Sequence, residues 1–186
     1  MRIISGSMRG TKLFTLEGLN TRPTLDRVKE ALFNILNFEL QDAVVLDLFA
    51  GSGALSLEAL SRGAEKAILC DNSRQAIEVI KKNIQKTKTE NKTEVFKLDY
   101  EKALEQIKNL NIKANIVFLD PPYESDFAED AAEKIIQLDL LENNGIIIIE
   151  TDRKEKIIEN TNEQLLEIYD IRKYGRVDLI ILKRKG

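Results

Sequence analysis

The sequence contains no histidine and a single cysteine, Cys70. The lack of histidine excludes Ser-His-Asp triads, Cys-His dyads, histidine general bases and histidine-ligated zinc. A lone cysteine excludes an intrachain disulfide and a cysteine-cluster metal site, so we expect no metal and a reducing, cytoplasmic compartment. Apolar runs such as Ile146–Ile149 are far shorter than the about 20 residues that a membrane helix needs, and residues 1–10 do not resemble a signal peptide.

Positive charge is concentrated at the two ends of the chain. Residues 1–30 carry a net charge of +3 and residues 172–186 carry +5, whereas the whole chain carries −3, which leaves −11 for the body between them. If the fold brings the two ends together, they form one basic face for a polyanion such as RNA, with Arg9 and Lys12 on it. The alternative is that the terminal lysines and arginines only solvate the surface.

Short buried strands and amphipathic helices alternate along the chain. A hairpin over residues 2–19 turns at Gly6–Gly10, and a helix with Thr24 as its N-cap runs to about Phe38. The predicted strands are Val44–Leu48, Ala67–Cys70, Val95–Leu98, Ile116–Leu119, Ile146–Ile149, Leu165–Arg172 and Val177–Lys183, and the predicted helices are Ser52–Ser61, Arg74–Lys86, Glu101–Lys108, Ala128–Leu138 and Arg153–Asn160. Apolar strands between helices are typical of a parallel sheet that is covered on both faces.

These elements predict a single α/β domain over residues 1–186. The expected fold is a Rossmann-like, doubly wound and mostly parallel sheet with an antiparallel C-terminal edge strand. Residues 1–40 would form a hairpin and helix that serve the substrate, and residues 41–186 would form the core that binds a cofactor.

A glycine-containing turn follows the first predicted strand, in the segment DLFAGSGAL over residues 47–55. Gly51 and Gly53 have no Cβ, so a ligand can approach the backbone closely. Open α/β sheets bind ligands beyond the carboxyl ends of their strands, where this turn is expected to lie. Asp71 ends the second strand, in the position of a ribose-binding carboxylate. The alternative is a purely structural turn in which Asp71 caps the next helix.

Asp47 in this segment and Ser56, directly after it, discriminate between nucleotide cofactors. Ser56 stands where the fingerprint for nicotinamide cofactors has its third glycine, which weakens the case for a dinucleotide. Asp47 precedes the turn, where a carboxylate can meet the cationic end of S-adenosylmethionine. The segment therefore favours S-adenosylmethionine.

The fourth predicted strand ends in Asp120-Pro121-Pro122-Tyr123. Prolines cannot donate backbone hydrogen bonds, so the strand stops there. We expect the Asp120 carboxylate and the Pro121 carbonyl to hold an exocyclic base amine, with its lone pair directed at an electrophilic methyl group. The Tyr123 ring would stack on the same base, which must be unpaired or flipped out of a helix. The alternative is an ordinary strand end with a loop aspartate.

Several segments resemble a known family. The glycine turn with Asp71, Leu98-Asp99-Tyr100 after the third strand, and the LDPPY segment are together similar to class I S-adenosylmethionine-dependent amino-methyltransferases. The segment RPTLDRVKEALFNIL over residues 22–36 resembles the RsmD family of 16S ribosomal RNA guanine-N2 methyltransferases, and MRIISGSMRGTKL and Lys173-Tyr174-Gly175 fit the same pattern. Ser56 and Asp71 depart from this pattern, because the family commonly has glycine and glutamate there.

The resemblance implies a set of site residues. The cofactor would contact Asp47, Phe49, Ala50, Gly51, Gly53, Asp71, Asn72, Asp99, Tyr100 and Asp120. The catalytic segment would be Asp120, Pro121, Pro122 and Tyr123. The residues at the RNA would be Arg22, Thr24 and Tyr123, together with Arg9 and Lys12. The implied enzyme is a monomer that uses S-adenosylmethionine on 16S ribosomal RNA within a partly assembled small subunit. Two alternatives stay open: the same chemistry on DNA adenine or a protein amide, and a non-catalytic ribosome-assembly factor.

Overall fold

The computed structural model describes residues 1–16, 23–36, 39–122 and 125–185. Its helices are α1 (Pro23–Ile35), α2 (Ala54–Ser61), α3 (Arg74–Thr87), α4 (Tyr100–Asn109), α5 (Phe127–Gln137) and α6 (Lys154–Asn160), and its strands are β1 (Val44–Asp47), β2 (Lys66–Cys70), β3 (Thr93–Phe96), β4 (Ala114–Leu119), β5 (Leu141–Thr151), β6 (Leu166–Tyr174) and β7 (Val177–Arg184). A short 3-10 helix, Glu90–Lys92, precedes β3. None of the helices in these ranges is long and apolar enough to cross a membrane.

The strands form one sheet in the order β3-β2-β1-β4-β5-β7-β6. Strands β1 to β5 are parallel, and β7 runs antiparallel to both of its neighbours, β5 and β6. The chain winds outward from β1 in one direction and from β4 in the other, so the switch point lies between these two strands. The predicted Rossmann-like fold is confirmed, although the antiparallel strand β7 lies inside the sheet and β6 forms its edge.

Helices cover both faces of the sheet. Helices α1 to α3 and the N-terminal hairpin pack on one face, and α4 to α6 pack on the other. Successive side chains of a strand point to opposite faces, so Val45 and Phe118 join the first core cluster whereas Leu46 and Val117 join the second. This double burial explains why the strands are continuous apolar runs in the sequence.

The predicted N-terminal hairpin is confirmed where the structure describes it, whereas its predicted end, residues 17–19, lies outside the described residues. An isolated antiparallel bridge joins Arg2 to Lys12, and the Ile3 N–H donates to the Thr11 carbonyl at 3.0 Å. The tip of the hairpin lies against the C-terminal end of α2, where the Ser7 N–H donates to the Ser61 carbonyl at 2.7 Å.

A buried carboxylate, Glu58 of α2, fastens this hairpin to the core. It accepts hydrogen bonds from the backbone N–H groups of Ile4 at 2.8 Å and Ser5 at 3.0 Å. It also pairs with Lys29 of α1 at 3.1 Å and with Arg62 at 2.8 Å. Because a buried carboxylate is tolerated only when it is paired and hydrogen-bonded, these contacts fix the hairpin, α1 and α2 relative to one another.

Several boundaries differ from the predictions. Strand β5 begins at Leu141, five residues earlier than predicted, and β4 at Ala114 and α2 at Ala54 each begin two residues from the predicted start. Helix α1 begins at Pro23, which suits a proline because the first helical N–H has no partner, so Thr24 lies in the first turn and is not the N-cap. The predicted end of this helix, Phe38, lies outside the described residues. Strand β3 begins two residues earlier than predicted, since Thr93 pairs with Ala67 of β2.

Candidate active site

Two glycines with different roles shape the turn between β1 and α2. Both have left-handed backbone angles, with φ of 54° at Gly51 and 76° at Gly53. A Cβ at Gly53 would lie 2.9 Å from the Leu69 side chain, whereas a Cβ at Gly51 would meet nothing within 4 Å. Gly53 is therefore required by packing, and the open space beside Gly51 lets a ligand reach the backbone.

The Asp71 carboxylate holds this turn against the end of β2. One of its oxygens accepts a hydrogen bond from the Gly51 N–H at 2.9 Å, and the other accepts one from the Ser73 N–H at 2.8 Å. Ser73, and not Asp71, is the N-cap of α3. Asp71 is half-buried and its oxygens keep further lone pairs, so it can also accept hydroxyl groups, while Asn72 beside it is exposed.

Asp47, at the end of β1, is almost completely buried. Its Oδ2 accepts a hydrogen bond from Ser56 Oγ at 3.0 Å. Burial raises the pKa of Asp47 to about 7, the Ser56 hydrogen bond opposes this shift, and the Asp71 carboxylate adds to it. The serine that departs from the family pattern therefore supports a site carboxylate, a role that its sequence position did not indicate.

Asp120 and Glu150 lie side by side where β4 and β5 end. Leu119 pairs with Ile149 in the parallel register, so the next residues on the two strands are neighbours on the same face of the sheet. Within the described ranges, neither carboxylate has a hydrogen-bond or ion-pair partner. Sequence reasoning missed Glu150, although it follows an apolar strand just as Asp71 and Asp120 do.

These carboxylates resist ionisation. The Asp120 side chain keeps contact with solvent, but its pKa is raised well above the usual range by desolvation from the surrounding protein and by the Glu150 and Asp47 carboxylates. Burial also raises the pKa of Glu150. A ligand that donates hydrogen bonds here would stabilise the ionised carboxylates and so lower their pKa values.

An open pocket adjoins the two carboxylates on the face covered by α1 and α2. Its walls are apolar and come from several elements: Leu32, Leu55, Phe118, Leu119, Ile148 and Leu179. Pro121 and Pro122 line a second crevice together with Thr151 and Arg153. Apolar walls with unpaired acceptors at one end suit a flat aromatic base that carries N–H donors on its edge.

Aromatic rings cluster between the glycine turn and the starts of α4 and α5. The Phe49 ring lies 5.7 Å from that of Tyr100 and 6.4 Å from that of Phe127, centroid to centroid, and is nearly parallel to the latter. The Tyr100 hydroxyl donates to Asp130 at 2.7 Å, and burial together with this bond raises the pKa of Tyr100 to about 12. Phe49 and Tyr100, both predicted cofactor residues, are therefore brought together.

Two further predicted cofactor residues have structural partners. The Ala50 N–H donates to the Cys70 carbonyl at 2.9 Å and so joins the turn to β2. Asp99 is the N-cap of α4, where it accepts from the Lys102 N–H and pairs with the Lys102 ammonium, both at 2.9 Å. These bonds lower the pKa of Asp99, which is exposed and can exchange the ammonium for a ligand.

Asn83 connects the N-terminal segment to the glycine turn, a link that sequence reasoning missed. This buried residue of α3 accepts from the Phe14 N–H at 2.7 Å and donates to the carbonyls of Phe14 and Ser52, both at 2.9 Å. No local pattern signals the link, because Asn83 is 69 residues from Phe14 and 31 from Ser52.

The structure describes only some of the predicted RNA-contacting residues. Arg9 and Lys12 are exposed on the N-terminal hairpin. Arg22 and Tyr123 lie outside the described residues, and Thr24 is placed only as part of the first turn of α1. In the part of the chain that the structure describes, three or more His, Cys, Asp or Glu side chains are nowhere grouped to hold a metal ion.

The basic C-terminal segment does not form one patch. Lys173 and Arg176 flank the turn between β6 and β7, at the carboxyl end of the parallel strands. Arg184 lies at the far end of β7, about 25 Å away, and pairs with Asp139 at 2.8 Å. Only part of the predicted basic face can therefore lie near the site.

The sheet with its switch point, the glycine turn and Asp71 define a Rossmann-like protein that binds a nucleotide cofactor. Residues 1–183 match the model of the family described as Conserved hypothetical protein 95, and the chain belongs to this family. Relatives named ribosomal RNA small subunit methyltransferase D, 38% and 41% identical to this chain, confirm its resemblance to RsmD methyltransferases.

Named relatives and solved structures agree with this assignment. Ribosomal RNA small subunit methyltransferase D of Haemophilus influenzae is 38% identical over 90% of this chain and 86% of its own length. The solved structure of yhhF from Escherichia coli is 33% identical, with a TM-score of 0.84 over 100% of this chain and 98% of that one. Trm5 of Methanocaldococcus jannaschii, solved in complex with adenosine, is 25% identical, with a TM-score of 0.65 over 90% of this chain and 51% of that one.

Proposed function

We propose that this protein transfers a methyl group from S-adenosylmethionine to the exocyclic N2 amine of a guanine in 16S ribosomal RNA. The observation that carries the proposal is Asp120, which has no partner among the described residues and lies at the mouth of an apolar pocket, beside the glycine turn at the switch point. The name of the Haemophilus influenzae relative supports ribosomal RNA of the small subunit as the substrate.

The residues around the turn fit S-adenosylmethionine. The space beside Gly51 is open where a Cβ would lie, and the Asp71 carboxylate next to it can accept ribose hydroxyl groups. Buried Asp47 has a pKa of about 7, so a cationic group nearby would favour its ionised form. The adenosine bound to Trm5 supports a nucleoside cofactor in this fold.

When bound, the cofactor supplies an electrophilic methyl group. Asp120 and the Pro121 carbonyl accept the two N–H bonds of the target amine and so orient its lone pair. Positive charge develops on the nitrogen as it gains the methyl group, and the negative charge of Asp120 stabilises it. Asp120 then accepts the proton that the nitrogen releases, and its raised pKa makes it a stronger base once it is ionised.

Mass spectrometry of ribosomal RNA from cells that lack the gene tests the substrate. We expect one methylguanosine to disappear from 16S RNA and to return when the wild-type gene is restored. An unchanged set of methylguanosines, or the loss of a methyl group from DNA or a protein, would contradict the proposal.

Single-turnover transfer of labelled methyl groups to small-subunit particles tests the mechanism. Asp120→Asn should lower the rate by about 10²–10³, as for the loss of one electrostatic contact to a transition state, and leave cofactor affinity unchanged. Asp42→Asn, at an exposed aspartate, is the control. A rate for Asp120→Asn close to that of the wild type would show that Asp120 is not the catalytic carboxylate.

We further propose that the enzyme is a cytoplasmic, metal-independent monomer that acts on a partly assembled subunit. Transfer to naked 16S RNA, to assembly intermediates and to complete subunits, each measured in a chelator, should be fastest with the intermediates. Equal rates on naked RNA would exclude a partly assembled subunit as the preferred substrate. Inhibition by the chelator would exclude metal independence.

A further inference from the structure

Glu150 faces the same pocket as Asp120 but has no part in the mechanism given above. The register of β4 and β5 makes the two residues neighbours, and adjacent strands lie about 4.8 Å apart. Both side chains line the pocket, together with the apolar groups of Phe118 and Ile148. The half-buried Glu150 carboxylate has no hydrogen bond or ion pair within the described residues, so its acceptor capacity is free for a ligand.

A guanine presents three N–H bonds on its Watson–Crick edge: two at the N2 amine and one at N1. In the proposed mechanism, Asp120 and the Pro121 carbonyl accept the two amine hydrogens, which leaves the N1–H without a partner. A buried donor without a partner is costly, so an acceptor next to Asp120 is needed. An adenine, in contrast, presents an unprotonated N1 that a carboxylate would repel.

We propose that Glu150 determines specificity for guanine, by accepting the hydrogen bond of the base N1–H while Asp120 holds the amine. This assignment rests on the proposed function, since it places a guanine in the pocket. The neighbouring positions of N1 and N2 on the base match the neighbouring positions of the two carboxylates on the sheet. The apolar wall formed by Leu32 and Leu179 would hold the flat faces of the base.

Replacing guanine by 2-aminopurine at the methylated position tests this assignment. 2-Aminopurine keeps the amine at C2 but has an acceptor, and no hydrogen, at N1. Single-turnover rates are measured on small-subunit particles reconstituted with 16S RNA that carries either base. The ratio of the two rates is compared between variants, so that the intrinsic reactivity of each base cancels.

The wild type should prefer guanine to 2-aminopurine by about tenfold or more, the effect of one unsatisfied buried hydrogen bond. Glu150→Gln should shift this preference toward 2-aminopurine by at least tenfold, because the glutamine amide can donate to the unprotonated N1. Glu150→Ala should shift the ratio in the same direction but by less, because alanine offers neither a donor nor an acceptor to N1. Glu142→Gln, at an exposed glutamate near the start of β5, should leave the ratio unchanged.

Each outcome decides a different question. If wild-type protein methylates guanine and neither Glu150→Gln nor Glu150→Ala changes the ratio from its wild-type value, Glu150 does not read the base and only this inference is overturned. If wild-type protein transfers no methyl group to guanine in any particle, the proposed function itself is wrong. Glu150 makes no hydrogen bond within the described structure, so we expect both variants to fold, and circular dichroism confirms this before rates are compared.

Discussion

Replacing Asp47 with asparagine should remove the contribution of this residue to the pH dependence of the stability of the fold. Asp47 is 2% exposed, and its pKa rises from an ordinary value of 3.8 to about 7. The Asp47 carboxyl group therefore holds its proton more tightly in the folded chain than in the unfolded chain. As a result, the free energy of unfolding of the wild type falls as the pH rises from about 4 to about 7.

The size of the effect follows from the shift in pKa. A difference of about three units, at about 1.4 kcal/mol for each unit, corresponds to about 4 kcal/mol of stability that is present at low pH and lost at high pH. Asparagine keeps an oxygen for the Ser56 hydrogen bond and carries no charge. The variant should therefore match the wild type near pH 4 and exceed its free energy of unfolding by up to about 4 kcal/mol at pH 8.

Urea unfolding, followed by circular dichroism at constant ionic strength from pH 4 to pH 8, measures this difference. Asp42→Asn provides the control, because Asp42 is exposed and its backbone φ of 58° is well tolerated by asparagine. Parallel curves for Asp47→Asn and the wild type would refute the reasoning, since they would show that Asp47 ionises equally easily in the folded and unfolded chains.

The remaining predictions concern the cofactor and the RNA. Asp71→Ala should weaken S-adenosylmethionine binding by at least about tenfold in calorimetry; equal affinity would exclude its role at the ribose. Gly53→Ala should lower the free energy of unfolding by about 1–3 kcal/mol, because a Cβ there would meet the core and the backbone φ is left-handed. Gly51→Ala shares the strain of a left-handed φ but meets no neighbour, so it should cost less stability and should also reduce cofactor affinity. A result in which Gly51→Ala binds as well as the wild type would place the ligand elsewhere. Reversing the charges of Arg9 and Lys12 should reduce RNA affinity. The slope of log K against the logarithm of the salt concentration should become shallower by about 0.7–0.9 for each phosphate contact that is lost. An unchanged slope would place the RNA on another face.

Much of the fold could be predicted from local patterns. Runs such as Val44–Asp47 and Ala114–Leu119 are buried on both faces of the sheet, so burial leaves a continuous apolar signal in the sequence. The glycine turn, Asp71 and Asp120 follow the ends of such runs, and parallel strands bring their carboxyl ends to one edge of the sheet. The residues that the sequence assigned to the site are therefore those next to strong local signals.

The contacts that complete the site depend on residues far apart in the chain, which only the tertiary structure brings together. Glu150 becomes the neighbour of Asp120 because β4 and β5 are adjacent in the sheet, although a whole helix separates them in sequence. Asn83 reaches Phe14 across 69 residues, and Glu58 fastens the hairpin across more than 50. Sequence periodicity reports which face of an element is buried, but the partner on that face is set by strand order and side-chain packing.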